Sequence, residues 1–219
     1  MTTFAANTTG VSRGRRLLDV TVASAGLVLG SPVFAAVAVS VRLSSPGPVI
    51  FRQVRVGERG QPFTLYKFRS MTCADNPNGT PAECHVTAAG DPRVTRNGNV
   101  LRSTSLDEIP QLWNVLRGDM TLVGPRPETP RLAERYPPEC RWVLQYRPGI
   151  TGPCQLHMRD RDVVPPDVTD PEAYYVRHLV PPRVDWDSRF LSAPTLRATL
   201  ALLWSTARYL VGRPMTDMA

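Results

Sequence analysis

The sequence predicts an α+β fold: a mostly helical body with a short β-hairpin, carried on an N-terminal helix-break-helix that re-enters the membrane. Three observations predict it. An apolar run over 17–41 is interrupted by Ser31-Pro32, the pattern changes to a period of two over 49–69, and helical spacing then returns in short pieces separated by prolines. With 219 residues and 22 prolines, the chain can bury one sizeable core but is too often interrupted for a simple helical bundle. The expected organisation is a disordered stretch over 1–12, the re-entrant helix over 13–43, and a cytosolic domain over 44–219 that ends in an amphipathic helix.

Charge narrows the partners without choosing among them. The formal charge is +7 with 26 basic residues, and Lys67 alone among these is lysine. Arginine excess favours bidentate contact with phosphates, although codon bias would give the same count. Nucleic acid, anionic lipid and phosphorylated small molecules all fit a basic surface. The arginines are dispersed among prolines rather than stacked with aromatics, so no nucleic acid partner is expected. A non-catalytic, membrane-tethered, Arg-rich module that binds anions is the competing class. Cysteines 73, 84, 140 and 154 form no CxxC pair. Cys73 with Cys84-His85 has the wrong spacing for a zinc knuckle, and reduced thiols are expected.

In chain order, Arg13, Arg15 and Arg16 precede the apolar run, in which Asp19 is the only charge. As one helix, the run would be about 37 Å long, enough to span a bilayer core of about 30 Å. Pro32 breaks that helix, and Ser31 offers a side-chain partner for the freed backbone groups. The two halves are then about 21 and 14 Å long, and neither crosses. Arginines flank both ends, with Arg42, Arg52, Arg55 and Arg59 on the far side, and positive charge marks the cytoplasmic side. Entry and exit by one leaflet satisfies both facts. A Pro-kinked spanning helix and a secretory signal cleaved near Ala36-Val37-Ala38 are the alternatives.

The stretches 49–56 and 63–69 read as a hairpin around Gly57-Glu58-Arg59-Gly60, with Lys67 and Arg69 on one face and Tyr66 and Phe68 on the other. A solvated strand face is the bland reading of those cations. Residues 71–90 form a polar loop. Asp107 and Glu108 stand just ahead of Pro110, at a helix start. Ser105-x-x-Glu108 fits a capping box, which would make the pair purely structural. Taking Asp107 as N-cap instead brings Pro110 into the first turn and keeps the carboxylate ionised in the helix dipole. Local sequence leaves both open.

Leu112, Val115 and Leu116 continue that helix to Gly118, and 121–123 extends into Gly124-Pro125-Arg126-Pro127. Prolines on both sides of Arg126 stiffen its backbone, so it loses less freedom on binding an anion. The alternative is an arginine merely solvated. Residues 130–146 read as an amphipathic helix interrupted at Pro137-Pro138, and Arg147-Pro148-Gly149 as a turn that again fixes an arginine. Residues 160–190 read as a surface or lid-like segment. A final helix over 195–210 carries Leu196, Leu200, Leu203, Ala207 and Leu210 along one stripe, for the core or for the membrane surface. Arg117-Gly118-Asp119 is a chance tripeptide.

Tyr66-Lys67-Phe68-Arg69-Ser70-Met71, the string over 101–128 and Arg147-Pro148-Gly149-Ile150-Thr151-Gly152 occur in one order. Together they resemble the bacterial sugar transferases of the monotopic polyprenol-phosphate phosphoglycosyl transferase type, in the small form without a multi-span segment. The resemblance runs from about Arg13 to Gly212. It implies transfer of a sugar 1-phosphate from a UDP-sugar to undecaprenyl (polyprenol) phosphate with release of UMP, as exopolysaccharide, O-antigen or glycoprotein glycan assembly begins. It implies that Asp107 attacks the β-phosphorus to form a phosphosugar-aspartyl enzyme, with Glu108 holding Mg²⁺. Lys67, Arg69, Arg102, Arg126 and Arg147 are then substrate phosphate-binding residues, and Ser31 and Pro32 the membrane break. The implied place is the bacterial cytoplasmic membrane, monotopic, on inner-leaflet lipid with the catalytic domain in the cytoplasm. A homodimer is compatible with the sequence. Gly152-Pro153-Cys154-Gln155 departs from the family's common Gly-Trp-Ala-Gln, and the Asn-Gly-Arg that often follows is absent, which leaves the sugar open.

Overall fold

The computed structural model describes residues 10–72, 91–158, 164–165 and 168–212. The readings for 1–9, for the loop over 73–90 with Cys73, Cys84 and His85, and for 159–163 lie outside the described residues.

Helix α1 (Arg13–Leu29) and helix α2 (Ser31–Ser44) meet at Gly30 and are bent by 63°. Pro32 sits in the first turn of α2 and has no N–H for the carbonyl of Val28 four residues back. Ser31 Oγ donates to that carbonyl instead, at 2.8 Å. Among the described residues no single helix is long and apolar enough to cross a membrane, whereas the bent pair has the length and composition together.

Strands β1 (Ile50–Val56) and β2 (Pro62–Phe68) form the predicted antiparallel hairpin, with Arg55 opposite Phe63 and Phe51 opposite Lys67. Thr95 caps α3 (Arg96–Ser103) through its Oγ1, which accepts from Gly98 N at 2.8 Å. A 3₁₀ turn over Leu106–Glu108 carries the acidic pair into α4 (Gln111–Arg117). After β3 (Thr121–Val123) come α5 (Pro130–Glu134) and a 3₁₀ stretch over Pro138–Gln145, so the interruption at Pro137-Pro138 falls where predicted. Then β4 (Gly149–Thr151) pairs in parallel with β3. Helix α6 (Pro153–Met158), α7 (Pro171–Tyr174), a π-helical turn over Tyr175–Leu179, α8 (Val180–Leu191) and α9 (Leu196–Leu210) complete the order.

Three sequence readings are corrected by the packing. Residues 171–191 are core rather than lid: Tyr175, Leu179, Val180, Val184, Phe190 and Leu191 are buried in the main cluster with Val115, Leu122 and Leu132. Their apolar stripe is hidden among the prolines and charges of the segment. On α9 the inward positions are Thr199 and Leu202, one stripe over from the predicted one, and Leu196, Leu200 and Trp204 face out.

The third correction concerns α1, half of which belongs to the body. Arg15, Asp19 and Ala23, four apart, are buried. Asp19 Oδ1 accepts from Leu122 N at 3.0 Å and Oδ2 from Thr121 Oγ1 at 2.8 Å, while Arg15 Nη2 donates to Val123 O at 2.7 Å. Arg16 donates to the carbonyls of Val115 and Leu116 in the last turn of α4. A second small cluster, Val37, Val41, Phe68 and Leu101, joins α2 to β2 and α3. The outer faces of α1 and α2 stay bare and apolar at Leu17, Val28, Leu29, Val33, Val39 and Leu43.

Candidate active site

Lys67 near the end of β2 donates from Nζ to Glu108 Oε1 at 2.7 Å. That pairing depends on α4 lying against the hairpin, and buried Asn114 holds it there. Its Nδ2 donates to Thr64 O at 2.7 Å and its Oδ1 accepts from Tyr66 N at 3.2 Å, one residue before the lysine.

The acidic pair does not cap α4. Ser105 stands in the left-handed region at φ 58° and its side chain makes no cap bond, so the capping box does not form. Nor is Asp107 the N-cap: that position falls to Pro110, whose φ of −59° already suits a helix, and Asp107 belongs to the 3₁₀ turn before it. The expectation that the dipole simply keeps Asp107 ionised is corrected accordingly. Burial raises its carboxyl from 3.8 to about 6 and Glu108 adds to the rise, while the charges of Lys67 and Arg102 oppose it. At neutral pH the anion still predominates.

Glu108 and Lys67 open onto a recess also lined by Arg55, Gln111, Arg126 and Gln155. Arg126 is exposed on the Gly124-Pro125-Arg126-Pro127 turn. Arg102, in the last turn of α3, is near enough for its charge to act on Asp107. The structure thus brings together Asp107, Glu108, Lys67, Arg102 and Arg126. It places two other expected phosphate ligands elsewhere. Arg69 is buried at the end of α2, where Nη2 donates to Val41 O at 3.2 Å and Ser45 O at 2.6 Å, capping carbonyls that the helix leaves open. Arg147 donates from Nε and Nη2 to Glu58 Oε2 at 2.9 and 2.8 Å, tying β4 to the hairpin loop. Alternation on β2 and the turn at Pro148 fixed their backbones but not these partners. Arg55, Gln111 and Gln155 were missed, because only the tertiary register turns them to one recess.

Residues 11–213 match the model of the family described as bacterial sugar transferase. The chain belongs to that family. It is 45% identical over 146 residues to a UDP-glucose:undecaprenyl-phosphate glucose-1-phosphate transferase of Caulobacter vibrioides, covering 65% of this chain and 53% of that protein. It is 47% identical over 148 residues to the protein of the same name from Escherichia coli, covering 65% and 31%. A UDP-N-acetylgalactosamine-undecaprenyl-phosphate N-acetylgalactosaminephosphotransferase of Aeromonas hydrophila is 41% identical over 145 residues, covering 65% and 33%. The match spans about half of the Caulobacter relative and about a third of the other two.

In this sugar transferase a buried polar network stands behind the recess. Glu128, which follows the arginine turn, accepts at Oε1 from Thr129 N at 2.9 Å, and at Oε2 from Tyr136 Oη at 3.1 Å and from Tyr175 Oη. Arg183 donates to Tyr175 Oη in turn. Burial and then the Glu128 charge hold both phenols well above their ordinary range, so they stay neutral donors. Among the described residues no cluster of three or more His, Cys, Asp or Glu side chains could hold a metal ion. Mg²⁺ asks for less, since it takes one or two carboxylates and completes its shell with substrate phosphates and water. Asp107 and Glu108 beside a cationic recess fit that donor set.

Proposed function

We propose that the chain transfers a sugar 1-phosphate from a UDP-sugar to undecaprenyl phosphate, in two steps through Asp107. The observation that carries the reading is a buried, mostly ionised Asp107 next to the Lys67–Glu108 pair, which lines a recess together with Arg126. The names of the relatives supply the substrate class, a UDP-sugar and undecaprenyl phosphate.

An Asp107 carboxylate oxygen attacks the β-phosphorus of the UDP-sugar. The bond from that phosphorus to the bridging oxygen breaks, and UMP leaves with the bridging oxygen and its electron pair. The sugar phosphate is then esterified to Asp107. In the second step an oxygen of undecaprenyl phosphate attacks the same phosphorus and the carboxylate leaves, giving undecaprenyl diphosphate sugar. Both steps move negative charge between oxygens, so their barriers fall mainly by positioning and by nearby cations. Lys67, Arg102 and Arg126 supply fixed positive charge. Glu108, with Asp107 beside it, would hold Mg²⁺, which when bound neutralises phosphate oxygens.

The lipid acceptor explains the bare outer faces of α1 and α2. An apolar surface of this kind fits insertion into one leaflet as a re-entrant pair, with the site at the cytoplasmic surface where UDP-sugars are dissolved. The product would be the first lipid-linked sugar of a surface glycan.

The test is intact mass after incubation with UDP-sugar and no lipid. Wild type gains one sugar phosphate and Asp107→Asn does not, and the variant's UMP release falls by about three orders of magnitude or more. Undiminished UMP release by Asp107→Asn would end this reading in favour of a binding module.

A further inference from the structure

Arg55 had no assigned role, and it is a largely buried arginine that lines the recess. It projects from β1 into the recess with only 15% of its side chain exposed. Nη2 donates to Gln53 Oε1 at 2.6 Å and Nη1 to Pro127 O at 3.1 Å, but Nε is buried with no acceptor. The carboxylate opposite it, Glu128, stands 3.6 Å away and already accepts from one backbone N–H and two phenols. Its positive charge is therefore shared rather than cancelled, at some cost for a buried group. Desolvation lowers the Arg55 pKa, Glu128 opposes this, and the charge of Arg126 lowers it further.

The lining makes the same point. Arg55, Lys67 and Arg126 bring three positive charges to the lining against Glu108 there and Glu128 behind Arg55, which leaves one positive charge for an anion to meet. Gln155 Oε1 in the same lining is also buried without a donor. One unmet donor and one unmet acceptor suit a ligand that has both phosphate oxygens and hydroxyl groups.

We infer that Arg55 is the second arm of a two-arginine clamp on the diphosphate of the sugar nucleotide, Arg126 being the first. The inference rests on the proposed UDP-sugar site. The hairpin supplies one arm and the proline-flanked turn the other, and Pro127 O links them by accepting from Arg55. Glu128 with its two tyrosines acts as the positioning group behind both. Arginine suits the role because its planar fork offers several N–H donors to phosphate oxygens while two are already spent on Gln53 and Pro127.

Titration of the purified chain with UDP and, separately, with uridine tests the clamp. Arg55→Gln is expected to weaken UDP binding by about tenfold or more while uridine binding stays within about twofold of wild type. Arg55→Lys restores the charge but not the fork, and is expected to recover UDP affinity only in part. UDP affinity unchanged in Arg55→Gln, or UDP and uridine weakened alike, would overturn the inference. Should the Gln variant not fold, the Lys variant decides: UDP affinity within about twofold of wild type overturns the clamp. A wild type that neither binds UDP nor releases UMP from any UDP-sugar refutes the underlying reading instead.

Discussion

A carboxylate that is to attack phosphorus has to be without its proton, and at Asp107 burial works against that while Lys67 and Arg102 work for it. With the carboxyl at about 6, kcat/KM for UMP release is expected to fall as pH drops through that value, since protonation removes the proposed nucleophile. Lys67→Met removes a charge that lowers this pKa, so the acidic limb moves to higher pH; a pH-rate profile of both proteins reads the limb, whatever the rate. The same raised pKa means that the folded chain binds this proton before the unfolded chain does. Between about 6 and the ordinary 3.8, falling pH therefore adds stability from this group. At this scale the acidic pair, Arg102, Arg126 and Lys67 were legible, because motif and local stiffness mark them. Its capping role was misread, since Ser-x-x-Glu spacing is shared by a capping box and a 3₁₀ turn. Arg55 and Asn114 were illegible for another reason: their partners lie 72 residues away in one case, and 48 and 50 in the other.

Among the elements, the pair of three-residue strands β3 and β4 sets the place of the arginine turn. Their approach is so close that a Cβ on Gly149 would stand 2.1 Å from Gly124 N, nearer than any side chain can be tolerated. Gly149→Ala is expected to push the strands apart, with a loss of about 1–3 kcal/mol in thermal or denaturant unfolding and a fall in UMP release as Arg126 shifts. A stable, fully active Ala variant would show that the turn is held by other contacts. Period-two alternation revealed the β1–β2 hairpin because it is long enough to repeat. Three residues cannot show a period, so β4 read as a turn. Helix α9 was found within one residue of its ends, where Thr195 caps it, yet its buried stripe was displaced by one position, for adjacent apolar rows differ little in composition.

For the whole molecule, the division into an N-terminal helical pair and a mixed body was readable from composition, and the break at Ser31-Pro32 was readable down to the atom that repairs it. What hydropathy alone could not show is that one face of α1 is body and the other is not. Asp19 looked like an isolated charge in an apolar run; it is the acceptor for β3. This bears on how a detergent-free form of the protein can be made. Cutting off residues 1–30 would strip three buried hydrogen bonds from β3, at about 1–3 kcal/mol for each group left unpaired. Such a loss consumes much of a folding margin of about 5–15 kcal/mol, so the truncated chain is expected to aggregate. Replacing Leu17, Val28, Leu29 and Leu43 on the bare side with Glu or Gln leaves those bonds alone. That variant is expected to run as a monodisperse species on size exclusion without detergent and to release UMP from UDP-sugar once per chain. Solubility engineering here is a matter of repainting a surface while keeping the segment beneath it.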